Sequence, residues 1–257
     1  MRLGVLLLGA LLSSCAAGPS TSAPAPERKL RIVFVTAHPD DPMWGAAGLM
    51  ALLSRDGHEV ISAYGTCFRA DRKVGQEAEA VVRRREAVAS CKVVGATPKF
   101  FDYSHEDFVA SGEVLKAVSS WLREVKPDIV VTHWPMDTHP NHHAAASIVW
   151  QSYAQRGGWN LYWFELLGSQ QSVGFRPELY LDIERVHSLK KEALDCHEGS
   201  LQAISSPVPG EPWRKTERAQ RTRGDECGVA HAEAYALVEA KDGYPLLPVR
   251  FLRRKGV

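Results

Sequence analysis

Residues 30–36, Leu-Arg-Ile-Val-Phe-Val-Thr, run directly into Ala37-His38-Pro39-Asp40-Asp41-Pro42. The first segment is short, β-branched and almost wholly apolar, the composition of a strand buried on both faces of a parallel sheet. Proline fits the first turn of a helix. Pro42 therefore marks the start of a helix carrying Met43, Leu49, Leu52 and Leu53 among small residues, and Gly57 ends it. Strand, polar turn and helix together make the opening unit of an α/β fold, and the alternation continues. Further strands are predicted at His58–Thr66, Lys99–Tyr103, Asp128–His133 and Leu179–Asp182, and helices at Gln76–Val94, Gly112–Lys126, His142–Gln155 and Glu184–His197. In the second of these helices Val114, Leu115, Val118, Trp121, Leu122 and Val125 form one apolar stripe of helical period. Residues 199–213, rich in Pro and Gly, read as loop, and the basic cluster Arg214–Arg223 as a solvated face. The whole predicts one α/β domain: a Rossmann-like doubly wound, mostly parallel sheet with helices on both faces.

Outward from this pattern, the chain ends constrain location. Arg2, the apolar run Leu3–Leu12 and Leu12-Ser13-Ser14-Cys15 have the form of a bacterial lipoprotein signal peptide. The run is too short to span a bilayer. The expected organisation is a signal peptide at 1–14, a lipidated Ala/Pro/Ser-rich tether at 15–29 beginning with Cys15, and the folded domain at 30–257. An exported protein, held to a membrane by lipid and facing the periplasm or cell surface, is implied. A net charge of +1 excludes a general attraction to nucleic acid. Cys67, Cys91, Cys196 and Cys227 lack zinc-finger spacing. They read as buried thiols or as one or two disulfides, Cys196–Cys227 first.

Ligands of doubly wound sheets bind at the carboxyl ends of the strands, and the order 3-2-1-4-5 makes the first and fourth predicted strands neighbours. The first is followed by His38-Pro39-Asp40-Asp41, the fourth by Asp137-Thr138-His139-Pro140-Asn141-His142-His143. Together the two segments supply two imidazoles and a carboxylate for a metal, with a carboxylate and an imidazole to spare for proton transfer. Adjacent Asp40 and Asp41 point apart in an extended loop, and His139 and His142 share a face if a helical turn starts there. Three protein ligands and an open position describe a catalytic zinc site. Two histidines and a carboxylate also describe a ferrous oxygenase site. No Gly-x-Gly-x-x-Gly loop follows the first strand, which disfavours a dinucleotide-binding enzyme. His133 reads as a core or supporting histidine, His105, Asp102 and Asp107 as solvated loop residues, His197 as packing its own helix. Trp134, Trp150, Trp159 and Trp163 are candidates for stacking on a sugar.

With Ala37-His38-Pro39-Asp40-Asp41 and His139-Pro140-Asn141-His142, the chain resembles the PIG-L/LmbE-like N-acetylglucosaminyl deacetylases. Corroborating stretches are Arg83-Arg84-Arg85-Glu86-Ala87, Lys191–His197, Glu226-Cys227-Gly228 and Ala232-Glu233-Ala234-Tyr235. The resemblance implies that His38, Asp41 and His142 hold Zn2+ (Fe2+ as the other divalent candidate), that Asp40 is the general base, and that His139, as imidazolium, stabilises the oxyanion. It also implies that Arg83 touches substrate, and that the residue at 141 orients the catalytic imidazole. The implied reaction removes an acetyl group from an N-acetylglucosamine-containing glycan or glycoconjugate outside the cytoplasm. Two departures stand out: Pro42 where the family has Glu, and Asn141 where it has Asp. Asn cannot stabilise an imidazolium as a carboxylate does, so His139 is expected to have a lowered pKa, with Asp137 able to compensate. The same departures admit the alternative of a metal- and carbohydrate-binding lipoprotein without turnover.

Overall fold

A computed structural model describes residues 28–167, 171–204, 208 and 210–255. Cys15 and the expected signal peptide and most of the tether lie outside the described residues. The first strand, β1 (Arg31–Thr36), is the middle one of the five parallel strands in an eight-stranded sheet. Its alternate residues serve opposite layers. Ile32 and Phe34 enter one hydrophobic core, Val33 and Val35 the other, and all four are buried. This two-sided burial is why the strand reads as an unbroken apolar run.

β1 pairs in parallel with β2 (Glu59–Phe68) on one side and β6 (Ile129–His133) on the other. Beyond β2 lies β5 (Thr97–Ser104), and beyond β6 lies β7 (Asn160–Phe164), both parallel. The order β5-β2-β1-β6 is the expected one; the place expected for Leu179–Asp182 is taken by β7, a strand not predicted from the sequence. The sheet then turns antiparallel through β9 (Ala232–Glu239), β8 (Leu179–Asp182) and β10 (Phe251–Leu252). A small hairpin, β3 (Lys73–Val74) with β4 (Glu77–Ala78), stands apart.

One core face is covered by α1 (Asp41–Gly45), α2 (Ala47–Arg55), α3 (Glu79–Val94) and α6 (His187–Asp195); the other by α4 (Gly112–Val125) and α5 (Pro140–Arg156). The helix predicted from Pro42 breaks into two at Ala46 (φ −142°, ψ 6°). Gly45 explains the tight seating of α1, because a Cβ there would lie 2.3 Å from the Phe164 ring. The segment read as loop and solvated face contains α7 (Glu198–Ile204) and α8 (Glu211–Cys227). α8 is mostly charged, so it lacks the apolar stripe that reveals a helix, yet Arg223 within it is buried and forms a bidentate pair with Glu165. The expected Cys196–Cys227 bridge is not formed. All four described cysteines are free thiols, with Cys196 and Cys227 each capping carbonyls of their own helix. Among the described residues no helix is long and apolar enough to cross a membrane.

Candidate active site

The turn after β1 and the turn after β6 meet, as adjacent parallel strands require. His38 follows β1, Asp41 opens α1, and His142 lies in the first turn of α5. All three are buried. His38 Nδ1 lies 3.2 Å from His142 Nε2 and 3.3 Å from Asp41 Oδ2, and His142 Nε2 lies 3.2 Å from Asp41 Oδ1. Arms of about 2.0 Å to a tetrahedral ion put its ligands about 3.3 Å apart, so the donor set fits zinc in both chemistry and spacing. Two imidazole nitrogens aimed at one point also call for a positive charge between them. The electrostatics of the pocket agree: burial opposes charge on His142, but Asp41 and Asp137 together override it and raise its pKa to about 10. Burial pushes the Asp41 carboxyl up, but His142, His38 and His133 hold it well below the usual range.

Each imidazole is oriented from behind. His142 Nδ1 donates to Asp137 Oδ1 at 2.9 Å, which leaves Nε2 with its lone pair toward the ligand position. Asp137 is itself fixed, accepting from the His139 backbone N–H at 2.9 Å and from Ser172 Oγ at 3.2 Å. Behind His38, Nε2 meets Asn141 Oδ1 at 3.4 Å. The Asn141 amide donates to the carbonyls of His105 (2.8 Å) and Phe108 (3.0 Å). Asn141 therefore supports a ligand and a loop. The expectation that its side chain orients His139 is corrected: only its backbone N–H reaches His139, donating to Nδ1 at 3.2 Å. His133 stacks on His142 at 4.3 Å and lies 3.1 Å from Asp41 Oδ2, a supporting position as read.

Asp40 faces the same space from the N-terminal end of α1. Arg83, on α3, pairs with Asp40 Oδ1, while Trp44 Nε1 donates to Oδ2 at 3.2 Å. Burial pushes the Asp40 carboxyl up, but Arg83, with His197 and His38, outweighs it and the net shift is downward. His139 is half-buried beside His38 and His142, its ring 4.7 Å from each. Burial and those two neighbours push its pKa down to about 4. The ring is thus a neutral N–H donor at neutral pH, with its proton on Nε2, rather than the imidazolium implied by the resemblance.

These side chains line a cleft of about 230 Å³ together with Trp44, Arg69, His105, Gln171 and Lys215. His105, read as a solvated loop residue, stands with its ring 4.6 Å from His38, and burial lowers its pKa to about 3. His38, His105 and His139 form a second triple of converging donors sharing His38. The set with Asp41 is the better cation holder, because it brings a carboxylate and an orienting Asp137. Asp102 and Asp107 stay outside, held by Arg84 and by Ser104 Oγ (2.7 Å). None of the four tryptophans considered for stacking lines the cleft; Trp44 does. His197 is buried against Ser90 Oγ at 2.9 Å.

The described residues of the site invite comparison with known proteins. The family model described as GlcNAc-PI de-N-acetylase (PIG-L) matches residues 33–153, which hold every candidate ligand. The chain is 30% identical over 188 residues to the 4-oxalmesaconate hydratase of Pseudomonas putida, covering 65% of this chain and 72% of that protein. It is 25% identical over 238 residues to the diacetylchitobiose deacetylase of Thermococcus kodakarensis, 86% of this chain and 85% of that one. In fold it is similar to the N,N'-diacetylchitobiose deacetylase of Pyrococcus horikoshii, with TM-score 0.67 and 22% identity over 81% of this chain and 83% of that one. With the motif, the sheet order and these likenesses in agreement, the chain belongs to the PIG-L family of LmbE-like proteins.

Proposed function

We propose that this protein is a metal-dependent hydrolase that removes the acetyl group from the nitrogen of an N-acetylglucosamine unit. The observation that carries the reading is the pairing of a three-donor cation site (His38, Asp41, His142) with a second carboxylate, Asp40, in one cleft. His38, Asp41 and His142 would hold a divalent ion, zinc by their donor set, which would polarise a water and lower its pKa to about 7. Asp40 Oδ2 takes a proton from the attacking water and returns it to the departing amine. Arg83 keeps Asp40 anionic and turned inward by holding Oδ1, and as a cleft residue it also meets the substrate. His139 donates Nε2–H to the oxygen that gains charge. Asp137 and Asn141 keep the two imidazole ligands in their tautomers. Trp44 offers an apolar edge to a sugar ring.

A second reading has one specific observation behind it, the 30% identity with the Pseudomonas hydratase. There the same water would add across the double bond of an unsaturated carboxylate, and Arg69 and Lys215, which line the cleft, would meet its charges. Acetate release from a panel of N-acetylated glycans, set beside loss of ultraviolet absorbance from unsaturated dicarboxylates, separates the two. Metal content is measured on the same samples. Acetate release that collapses in Asp40→Asn while the metal stays bound is the expected result; hydration without acetate release overturns the deacetylase reading.

The export reading of residues 1–15 belongs with this proposal and points to a substrate outside the cytoplasm. Mass spectrometry of the mature N-terminus, with lipid found on Cys15, is the expected outcome; an unprocessed Met1 overturns it.

A further inference from the structure

Among residues that do not line the cleft, a second group of metal-type donors converges. His187 opens α6, Glu217 lies on α8, and His231 immediately precedes β9. Their donor atoms all lie within 4.8 Å of one another. The two imidazoles stack with centroids 3.8 Å apart and planes 20° apart. His231 is 7% exposed. Among the described residues, the buried Nε2 of His231 has no hydrogen-bond partner. Among them His187 has only Gln220, 3% exposed and one turn beyond Glu217, as a side-chain hydrogen-bonding neighbour. Buried polar atoms without partners are costly and call for explanation.

The support of His231 suits ligation. Its Nδ1 donates to Glu184 Oε2 at 2.7 Å, the carboxylate support that fixes a ligating imidazole's tautomer and leaves Nε2 with a free lone pair. Arg221 holds Oε1 of Glu217 at 3.0 Å, and the carboxylate keeps a second oxygen. Stacked rings send their in-plane lone pairs side by side, so an ion bound here would turn the two imidazoles toward each other. Stacking alone leaves the His231 Nε2 lone pair unsatisfied. Two imidazoles and one carboxylate suit zinc and its neighbours and not calcium or magnesium, which take oxygen ligands.

We propose that His187, Glu217 and His231 form a second, structural site for a divalent transition metal of the zinc type. It ties the start of α6 to α8 and to the entry of β9. Lys215, two residues before Glu217, lines the cleft, so the site also anchors that wall. The inference does not depend on the reaction performed at the cleft.

Zinc binding to the full untagged chain tests it, by titration calorimetry and by metal content after dialysis. Wild type is expected to bind two equivalents. Asp41→Ala, with the cleft site broken, keeps one and still gains thermal stability on adding zinc. In the Asp41→Ala background His231→Gln removes that equivalent, and the milder Glu217→Gln weakens it at least tenfold while leaving the circular dichroism of the metal-free protein unchanged. One equivalent in wild type and none in Asp41→Ala overturns the proposal. So does an equivalent in Asp41→Ala that survives both changes.

Discussion

In the parallel half of the sheet, β1 and β6 end in turns whose buried donors point at one another without a finished partner set: His38, Asp41 and His142. In the antiparallel extension the buried charges are already matched. Lys190 pairs with Glu233 at 2.6 Å, both side chains 1% exposed. Glu233 also accepts the backbone N–H groups of Gly48 (2.8 Å) and Leu49 (2.9 Å), closing the open N-terminal end of α2. Arg223 and Glu165 join α8 to the end of β7 in the same manner. The contrast separates two uses of buried charge. Matched ions hold elements together; converging imidazoles and a carboxylate suit a cation.

The sharpest way to break the comparison is to remove a charge from each half. Asp40→Asn should lower turnover by about 10²- to 10⁴-fold with metal content near wild type, and should cost less stability than a change at Glu233 because Arg83 keeps Glu79 as a second buried carboxylate. Glu233→Gln should do the opposite. It leaves the Lys190 ammonium buried without its counterion, at a cost of about 3–5 kcal/mol in urea unfolding, while turnover per folded molecule stays near wild type. A Glu233→Gln protein of unchanged stability would dissolve the distinction.

Acid titration sharpens the comparison further. Burial lowers the His197 pKa to about 4, below the ordinary 6.5. The unfolded chain therefore takes up this proton first as pH falls. The folding advantage is complete above pH 6.5 and declines down to pH 4, by of order 3 kcal/mol. His197→Gln should flatten the metal-free protein's stability between pH 6.5 and 4. The smallest effect is expected at Asn141→Asp. A carboxylate would face the carbonyls of His105 and Phe108 in place of a donor, costing about 1–3 kcal/mol. The pH dependence of turnover should move little, because the side chain supports His38 and not His139.

Four of the five parallel strands were legible because their signals are local; β7 (Asn160–Phe164) was not read. β1 shows a short apolar run, Pro42 starts a helix, and the two polar turns follow their strands in the chain. His38, Asp40, Asp41, His139 and His142 fall together as expected. What escaped depends on distant partners. His105 enters the cleft because β5 pairs with β2 through two register shifts near its end, and nothing in residues 102–107 announces that. Trp44 faces the cleft only because α1 stops at Gly45 and the chain turns. α8 hides its one buried arginine among exposed ones, and Glu233 sits in an ordinary-looking strand. The role of Asn141 was misjudged because neighbours in sequence suggested His139, while the helical turn carries its side chain to His38.

Glu233 has a consequence for a shortened chain. Every donor of the cleft site lies at or before residue 142, but the carboxylate that closes α2 comes ninety-one positions later. A chain shortened before β9 would keep all the donors of the cleft site and lose the carboxylate that seals the start of the neighbouring helix.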